Sequence, residues 1–106
     1  MKYRIVIYEH DGKAPFVKWF DDLDPATAAR VDRSIRRMEI GNFGAAKSLH
    51  GGLFELRLNF GPGYRVYFGI KDRTLIIVLS GGDKHRQSAD IAAARIRWAH
   101  FLEGGN

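Results

Sequence analysis

Arg57 and Arg65 are the residues whose type and spacing point most directly to chemistry, and each has an ionisable side chain two positions away, Glu55 and Tyr67. A guanidinium group binds phosphate oxygens through paired hydrogen bonds and stabilises the charge that develops when a phosphate reacts. Two neighbouring arginines repel each other unless an anion lies between them. The pattern therefore predicts a site for a polyanion, most simply RNA. The alternative is an internal ion pair in which Glu55 supplies the anion.

A second group of cations follows the pair Gly81-Gly82 and consists of Lys84, His85 and Arg86. Because glycine tolerates many backbone conformations, the pair predicts a hinge in front of them. Imidazole titrates near neutral pH, and a lysine beside other cations loses its proton more readily, so Lys84 and His85 are candidates for proton transfer. An ordinary surface histidine is the alternative. The single carboxylate nearby is weak evidence for a metal site, and we predict no metal.

A third set of cations lies on one predicted helix: Arg30, Arg33, Arg36 and Arg37. Residues three and four positions apart share a helix face, so such arginines can follow phosphates along a groove. Asp32 and Glu39 are interspersed with them, which is typical of a helix face that is charged for solubility. The carboxylates favour this solvated face over a phosphate track.

The elements that position these residues follow from the spacing of apolar side chains. Aromatic and β-branched residues at 3–8 predict an opening strand. Helical spacing predicts two helices, at 16–23 and from residue 24 to Gly41, the second with Asp24 as N-cap and Pro25 at its first position. The segment 41–52 has glycines at both ends and predicts a loop, which carries Lys47.

From residue 53 the apolar period changes to two, with Leu56 on one face and Glu55 and Arg57 on the other. After the turn at 61–63 the same alternation continues from 64 to 70, which predicts a hairpin. If the apolar face packs on helices, the opposite face of the hairpin is polar and open. We therefore expect Glu55, Arg57, Arg65 and Tyr67 to project together from an open face.

Residues 75–79 are apolar at every position, which predicts a central strand covered on both faces. Ile91, Ala94, Trp98 and Phe101 recur at helical spacing and predict a final helix. The order is thus β-α-α-β-β-β-α. We predict an α+β fold with a mostly antiparallel four-stranded sheet packed against helices, in a single domain over residues 1–106.

The composition limits the possible function classes. Hydrophobic residues make up 45% and charged residues 27%, which excludes a disordered or coiled-coil chain. The absence of cysteine excludes disulfides and thiolate metal sites and favours a reducing compartment. The net charge of +5 favours an anionic partner, although many soluble proteins carry as much charge without one. Since the apolar run at 3–8 is too short for a signal peptide or membrane span, we expect a cytoplasmic protein with no membrane partner.

Five short motifs are distributed over nearly the whole chain: FVKWF at 16–20, GNFG at 41–44, ELR at 55–57, GPGYRVY at 61–67 and GGDK at 81–84. Together they resemble the addiction-module killer proteins of the RelE/ParE toxin superfamily, in the HigB-like, phage-derived Gp49-like branch. The resemblance implies a RelE-like fold and the toxin of a bacterial type II toxin–antitoxin system. It also implies a cognate antitoxin, a small helix-turn-helix protein encoded next to the toxin.

The activity that the resemblance implies is ribosome-dependent cleavage of mRNA, which inhibits translation. In this chemistry the ribose 2'-hydroxyl attacks the scissile phosphate, and no metal or cofactor is needed. Arg57 and Arg65 would hold the phosphate, while Lys47, Lys84 and His85 would move protons. The residues predicted to contact RNA are Arg57, Arg65, Tyr67, Lys47 and Arg86.

Two other functions fit the same resemblance. Many RNA-cutting relatives have a tyrosine in the final segment, whereas residues 87–98 contain none, and Lys84 stands where an arginine is frequent. A ParE-like inhibitor of DNA gyrase keeps the fold without cutting RNA. The third alternative is a non-catalytic module that only binds the antitoxin.

Overall fold

The computed structural model describes residues 2–104, so the ends of the predicted domain at residues 1, 105 and 106 lie outside the described part. The elements are β1 (Arg4–Ile7), α1 (Pro15–Asp21), α2 (Pro25–Glu39), β2 (Ala46–Ser48), β3 (Leu53–Arg57), β4 (Arg65–Lys71), β5 (Leu75–Gly82) and α3 (Gln87–Leu102). A short 3-10 turn, Lys84–Arg86, connects β5 to α3. No helix within the described residues is long and apolar enough to cross a bilayer.

The strands form one mixed sheet in the order β1-β5-β4-β3-β2, with β1 parallel to β5 and the other neighbours antiparallel. The predicted α+β class is confirmed, but the sheet has five strands and not four. The additional strand, β2, lies in the segment that was predicted to be a loop. It is three residues long and lies at the sheet edge, so it becomes a strand through pairing with β3 rather than through an alternating pattern of its own.

The helices cover both faces of the sheet. On one face the predicted apolar alternation of β3 and β4 packs on α1 and α2, in a core of Phe16, Val31, Ile35, Met38, Leu56, Leu58, Val66, Phe68, Ile76 and Val78. On the other face α3 covers a second core of Tyr8, Leu53, Tyr67, Ile77, Leu79, Ala94 and Trp98. Since β5 contributes to both cores, the predicted covering of residues 75–79 on both faces is confirmed.

The helix α2 begins as its sequence predicts. The carboxylate of Asp24 accepts hydrogen bonds from the hydroxyl and the backbone N–H of Thr27, at 2.6 and 3.2 Å. These bonds satisfy the first turn of the helix, and they hold the pKa of Asp24 below its ordinary value. Pro25 follows at the first helical position, where its missing N–H costs nothing.

A β-bulge in β5 decides which of its residues face α3. Tyr67 pairs with Ser80, whereas the next residue, Phe68, pairs with Val78, so one extra residue lies between them. Ser80 and Gly82 therefore lie on the α3 side of the sheet, beside Tyr67 and Arg65.

The predicted hinge at Gly81-Gly82 is wrong, because both glycines are paired residues of β5. A side chain at Gly81 would meet the ring of Trp19, and one at Gly82 would meet the carboxylate of Asp90. The glycines are thus explained by close packing rather than by flexibility.

Candidate functional site

A buried cluster of polar side chains lies between the sheet and the first half of α3. We call it the polar cluster, and its members are Glu55, Arg57, Arg65, Tyr67, Ser80, Gln87 and Asp90. Arg57 and Arg65 are directly opposite each other on β3 and β4, and Glu55 is opposite Tyr67 in the same ladder. The side-by-side placement that the alternation predicted is therefore present.

Glu55 is the centre of this cluster and is fully buried. Its carboxylate accepts hydrogen bonds from Arg57 Nε at 3.0 Å and from Gln87 Nε2 at 2.8 Å, and Arg65 Nε lies 3.5 Å away. Burial alone would raise the pKa of Glu55, but the hydrogen bonds from Arg57 and Gln87 and the charges of both arginines outweigh it and lower the pKa. Glu55 is thus the anion between the two arginines. This agrees with the alternative interpretation of the sequence, in which the arginines form an internal ion pair.

The expected open polar face is wrong, because α3 covers most of it. Glu55 and Tyr67 have no exposed surface, and the side chain of Arg65 is 9% exposed. The side chain of Arg57 is 41% exposed. Of the two arginines, Arg57 is therefore the one that an external anion reaches directly.

Three buried atoms of the polar cluster have no hydrogen-bond partner within residues 2–104: Arg65 Nε, the Tyr67 hydroxyl and Ser80 Oγ. Burial, together with the nearby carboxylates of Glu55 and Asp90, raises the pKa of Tyr67 strongly. Tyr67 therefore keeps its proton at neutral pH and is a hydrogen-bond donor, not a base. Its buried ring does not reach the surface on which a predicted RNA contact would be made.

An open cleft of about 830 Å³ borders the polar cluster. We call it the sheet-edge cleft, and it is lined by Arg57, Leu58, Asn59, Phe60, Gly61, Pro62, Gly63, Arg65, Lys84 and Gln87. Lys84 is exposed and is brought here by the 3-10 turn, whose backbone N–H donates to the carbonyl of Pro62. The Arg65 guanidinium donates through Nη1 to the carbonyl of Gly63, which fixes it at the cleft wall.

The other predicted cations are not part of the lining of this cleft. Lys47 is exposed on β2 directly opposite Glu55, so it lies on the same face of the sheet, one strand further out. His85 and Arg86 are exposed on the 3-10 turn and line a neighbouring hollow. Asp83 caps this turn by accepting a hydrogen bond from the His85 backbone N–H at 2.9 Å. Residues 2–104 contain no group of three His, Cys, Asp or Glu side chains placed to hold a metal ion.

Gln87 and Asp90 belong to the site, although no sequence pattern indicates either of them. Gln87 is 32 positions from Glu55, and the two meet only because α3 docks over β3. Asp90 lies against Gly82, and burial raises its pKa, with Asp83 adding to this and Arg86 and Arg97 acting against it. Neither residue is part of a motif or a periodic pattern.

Comparison with known proteins identifies relatives of the chain. The family described as "Phage derived protein Gp49-like" matches residues 18–99. An uncharacterized protein of Haemophilus influenzae is 43% identical over 82 residues, which are 76% of this chain and 83% of the relative. The match to the family extends over well more than half of the chain, including α2, the whole β3–β4 hairpin and most of α3.

A solved structure shares the fold. A double mutant of the Escherichia coli toxin RelE in the free state superposes with a TM-score of 0.66 at 16% identity, over 92% of this chain and 97% of that one. The RelE-like fold predicted from the sequence is therefore confirmed. At this identity the likeness shows the fold alone. The chain belongs to the Gp49-like family of phage-derived proteins.

Proposed function

We propose that this protein is the toxin of a type II toxin–antitoxin system and that it cleaves mRNA on the ribosome. Arg57 is the observation that carries the proposal. Arg57 Nε donates a hydrogen bond to the carboxylate of Glu55 at 3.0 Å. The two terminal nitrogens of Arg57 donate no hydrogen bond to any residue in the described part of the chain. An oriented guanidinium with two free donors, exposed to a basic cleft, is suited to bind a phosphate.

The reaction proposed here forms a bond between the ribose 2'-oxygen and phosphorus and breaks the bond from phosphorus to the 5'-oxygen. A proton leaves the 2'-hydroxyl and another reaches the 5'-oxygen, so the products are a cyclic phosphate and a 5'-hydroxyl. Arg57 stabilises the negative charge on the non-bridging oxygens as this happens. Lys84 lines the same cleft and is the first candidate for proton transfer. The further candidates are His85, which follows it in the 3-10 turn, and Lys47 on β2.

Arg65 has a different role from Arg57 in this proposal. It is nearly buried, bound to the carbonyl of Gly63 and paired by charge with Glu55. It therefore acts as a positioning residue that holds Glu55, which in turn orients Arg57. Glu55 itself is not a base, because its carboxylate is already engaged by Arg57 and Gln87.

Induced expression in bacteria tests the activity, with Arg57→Ala as the test variant and Arg36→Ala as its control. Arg36 is an exposed arginine that pairs with Asp32 on α2 and does not line the sheet-edge cleft. Wild type and Arg36→Ala should stop translation and yield cut transcripts, whereas Arg57→Ala should cut about 10²–10³-fold more slowly. Intact transcripts on induction of the wild type would contradict the proposal.

Two further measurements separate the alternatives. Growth arrest with intact transcripts would favour the alternative of a gyrase inhibitor. A supercoiling assay with purified gyrase tests this alternative. Harmless induction with retained binding to the protein encoded next to it would indicate a non-catalytic antitoxin-binding module. Under our proposal, co-expression of that neighbouring helix-turn-helix protein restores growth.

A further inference from the structure

A second cleft, which Arg57 also lines, lies between α2 and the end of β3. It has a volume of about 300 Å³, and we call it the α2 cleft. Its lining residues are Arg30, Arg33, Ser34, Arg37, residues 42–45 and residues 56–60. The sequence left open whether the arginines of α2 bind phosphates or only face solvent. Which of these arginines line the cleft helps to distinguish the two interpretations.

The lining of the α2 cleft is strongly basic. It includes four arginines and no aspartate or glutamate. Arg30, Arg33 and Arg37 have no carboxylate within ion-pair distance anywhere in the described chain, whereas the neighbouring Arg36 is paired with Asp32 at 2.8 Å. Among the arginines of α2, the one with a carboxylate partner thus lies outside the cleft, and the three without one line it. Unneutralised cations around a concavity attract an anion.

The floor of the cleft is apolar and aromatic. Phe43, Leu56, Leu58 and Phe60 contribute to it, and the Arg30 guanidinium lies 3.7 Å from the centre of the Phe60 ring. This stacking fixes Arg30 at the rim. A cationic rim above an aromatic floor suits a nucleotide, whose base or ribose contacts the floor while its phosphates reach the arginines.

The two clefts share a wall, which is formed by Arg57, Leu58, Asn59 and Phe60. A strand that places one phosphate at Arg57 therefore has the α2 cleft next to its neighbouring nucleotides. This shared wall favours a nucleic acid strand over an acidic protein segment, because an extended polyanion contacts both clefts at once.

We propose that the α2 cleft binds the sugar-phosphate backbone of RNA next to the phosphate held by Arg57, with Arg33 and Arg37 as its principal phosphate contacts. The proposal deepens the function given above and rests on it. It names a path for the substrate, from the sheet-edge cleft across Arg57 to α2. It also makes the α2 arginines phosphate-binding residues, whereas the earlier interpretation was a helix face charged only for solubility.

The test is RNA binding by the double variant Arg33→Ala/Arg37→Ala, with Arg36→Ala as the matched control on the same helix. Fluorescence anisotropy measures the affinity of the purified full chain for a 2'-O-methylated, non-cleavable RNA of about 12 nucleotides over a salt series. Loss of two phosphate contacts should reduce the slope of log K against log salt by about 1.4. Arg36→Ala should keep the wild-type slope, and circular dichroism should show all variants folded, since these side chains are exposed.

The outcomes distinguish this proposal from the proposed function. An unchanged slope for Arg33→Ala/Arg37→Ala would overturn the RNA path, even if the wild type cuts mRNA. If that same variant kept the RNA slope but lost affinity for the co-expressed antitoxin, the cleft would belong to a protein partner, and the proposal would again be wrong. A reduced slope in a protein that cuts no mRNA would support the cleft as an RNA site and contradict the cleavage proposal alone.

Discussion

The two halves of α3 contact the sheet through opposite chemistry. In its second half, Ala94 and Trp98 pack on apolar residues such as Leu53, and the Trp98 indole donates to the carbonyl of Gly51 at 2.8 Å. In its first half, Gln87 and Asp90 lie over the ions and hydroxyls of the polar cluster. One helix thus joins an ordinary core to a buried polar site.

The difference shows which half stabilises the fold. Burial of apolar surface contributes about 25 cal/mol per Å², so the Trp98 half holds the helix on the sheet. The polar half covers the buried carboxylate of Glu55 and three buried atoms that have no hydrogen-bond partner among residues 2–104, and burying such groups is costly. Buried ion pairs are often replaceable by apolar side chains without loss of stability. We infer that the polar half is explained by the orientation of Arg57 rather than by stability.

The largest effect should come from the apolar half. Trp98→Ala removes a nearly buried ring and leaves a cavity, and should lower the free energy of unfolding by about 3–5 kcal/mol. Ile96→Ala on the exposed face of the same helix is the control, expected within about 0.5 kcal/mol of wild type. Urea denaturation measures both. Equal losses would show that α3 is not anchored at Trp98.

The second largest effect on stability is expected at Glu55, the carboxylate at the centre of the polar cluster. Glu55→Gln keeps the shape but leaves Arg65 buried without a counter-charge, so it should cost about 2–4 kcal/mol. Glu103→Gln, an exposed carboxylate after α3, should be neutral in the same urea experiment. Wild-type stability of Glu55→Gln would mean that the carboxylate does not hold the arginines.

The stability difference between wild type and Glu55→Gln should also depend on pH. The pKa of Glu55 in the folded chain lies below its ordinary value of 4.5. The ion pairs therefore contribute fully above that value, and their contribution is lost as the pH falls through the folded pKa, because the unfolded chain binds a proton first. The difference should be constant from about pH 5 to 7 and shrink below. A difference that does not change with pH would argue against the ionised carboxylate.

A double variant separates stability from function. Glu55→Met/Arg65→Met removes the buried charges together, so its free energy of unfolding should lie within about 1.5 kcal/mol of wild type. This loss should be much smaller than the sum of the losses of the two single variants. Without Glu55, however, Arg57 loses its orientation, and mRNA cutting should fall as in Arg57→Ala. Unfolding and induction assays on the same variant measure both properties. A stable variant with full activity would show that the polar cluster is not needed to orient Arg57.

The smallest effect is expected at Asp90. Burial raises its pKa, so its charged form costs stability at neutral pH, and this cost is relieved as the pH falls through the folded pKa. Asp90→Asn should therefore stabilise the fold slightly at pH 7, by less than about 1 kcal/mol, and the gain should vanish in acid. Thermal unfolding at both pH values measures it. A loss of stability at pH 7 would indicate that the carboxylate has a favourable partner.

Much of the architecture was predictable because local patterns carry it. The period-two alternation placed Arg57 and Arg65 together on one face of the hairpin, where they lie opposite each other, and Asp24 with Pro25 marked the start of α2. The strand β2 was missed, since a three-residue edge strand has no pattern until it pairs. The roles assigned to Lys47, Lys84 and His85 remain predictions.

The sequence by itself determined the order of the elements other than β2, the two faces of the hairpin and the placement of both arginines on one of them, because these depend on residues close together along the chain. Only the tertiary structure decided that α3 covers the face carrying Glu55 and that Arg57 remains exposed while Arg65 does not. It also decided that Arg33 and Arg37 line a cleft and Arg36 does not. Alternation distinguishes two faces of a strand but does not say what covers them, since that depends on how distant segments dock.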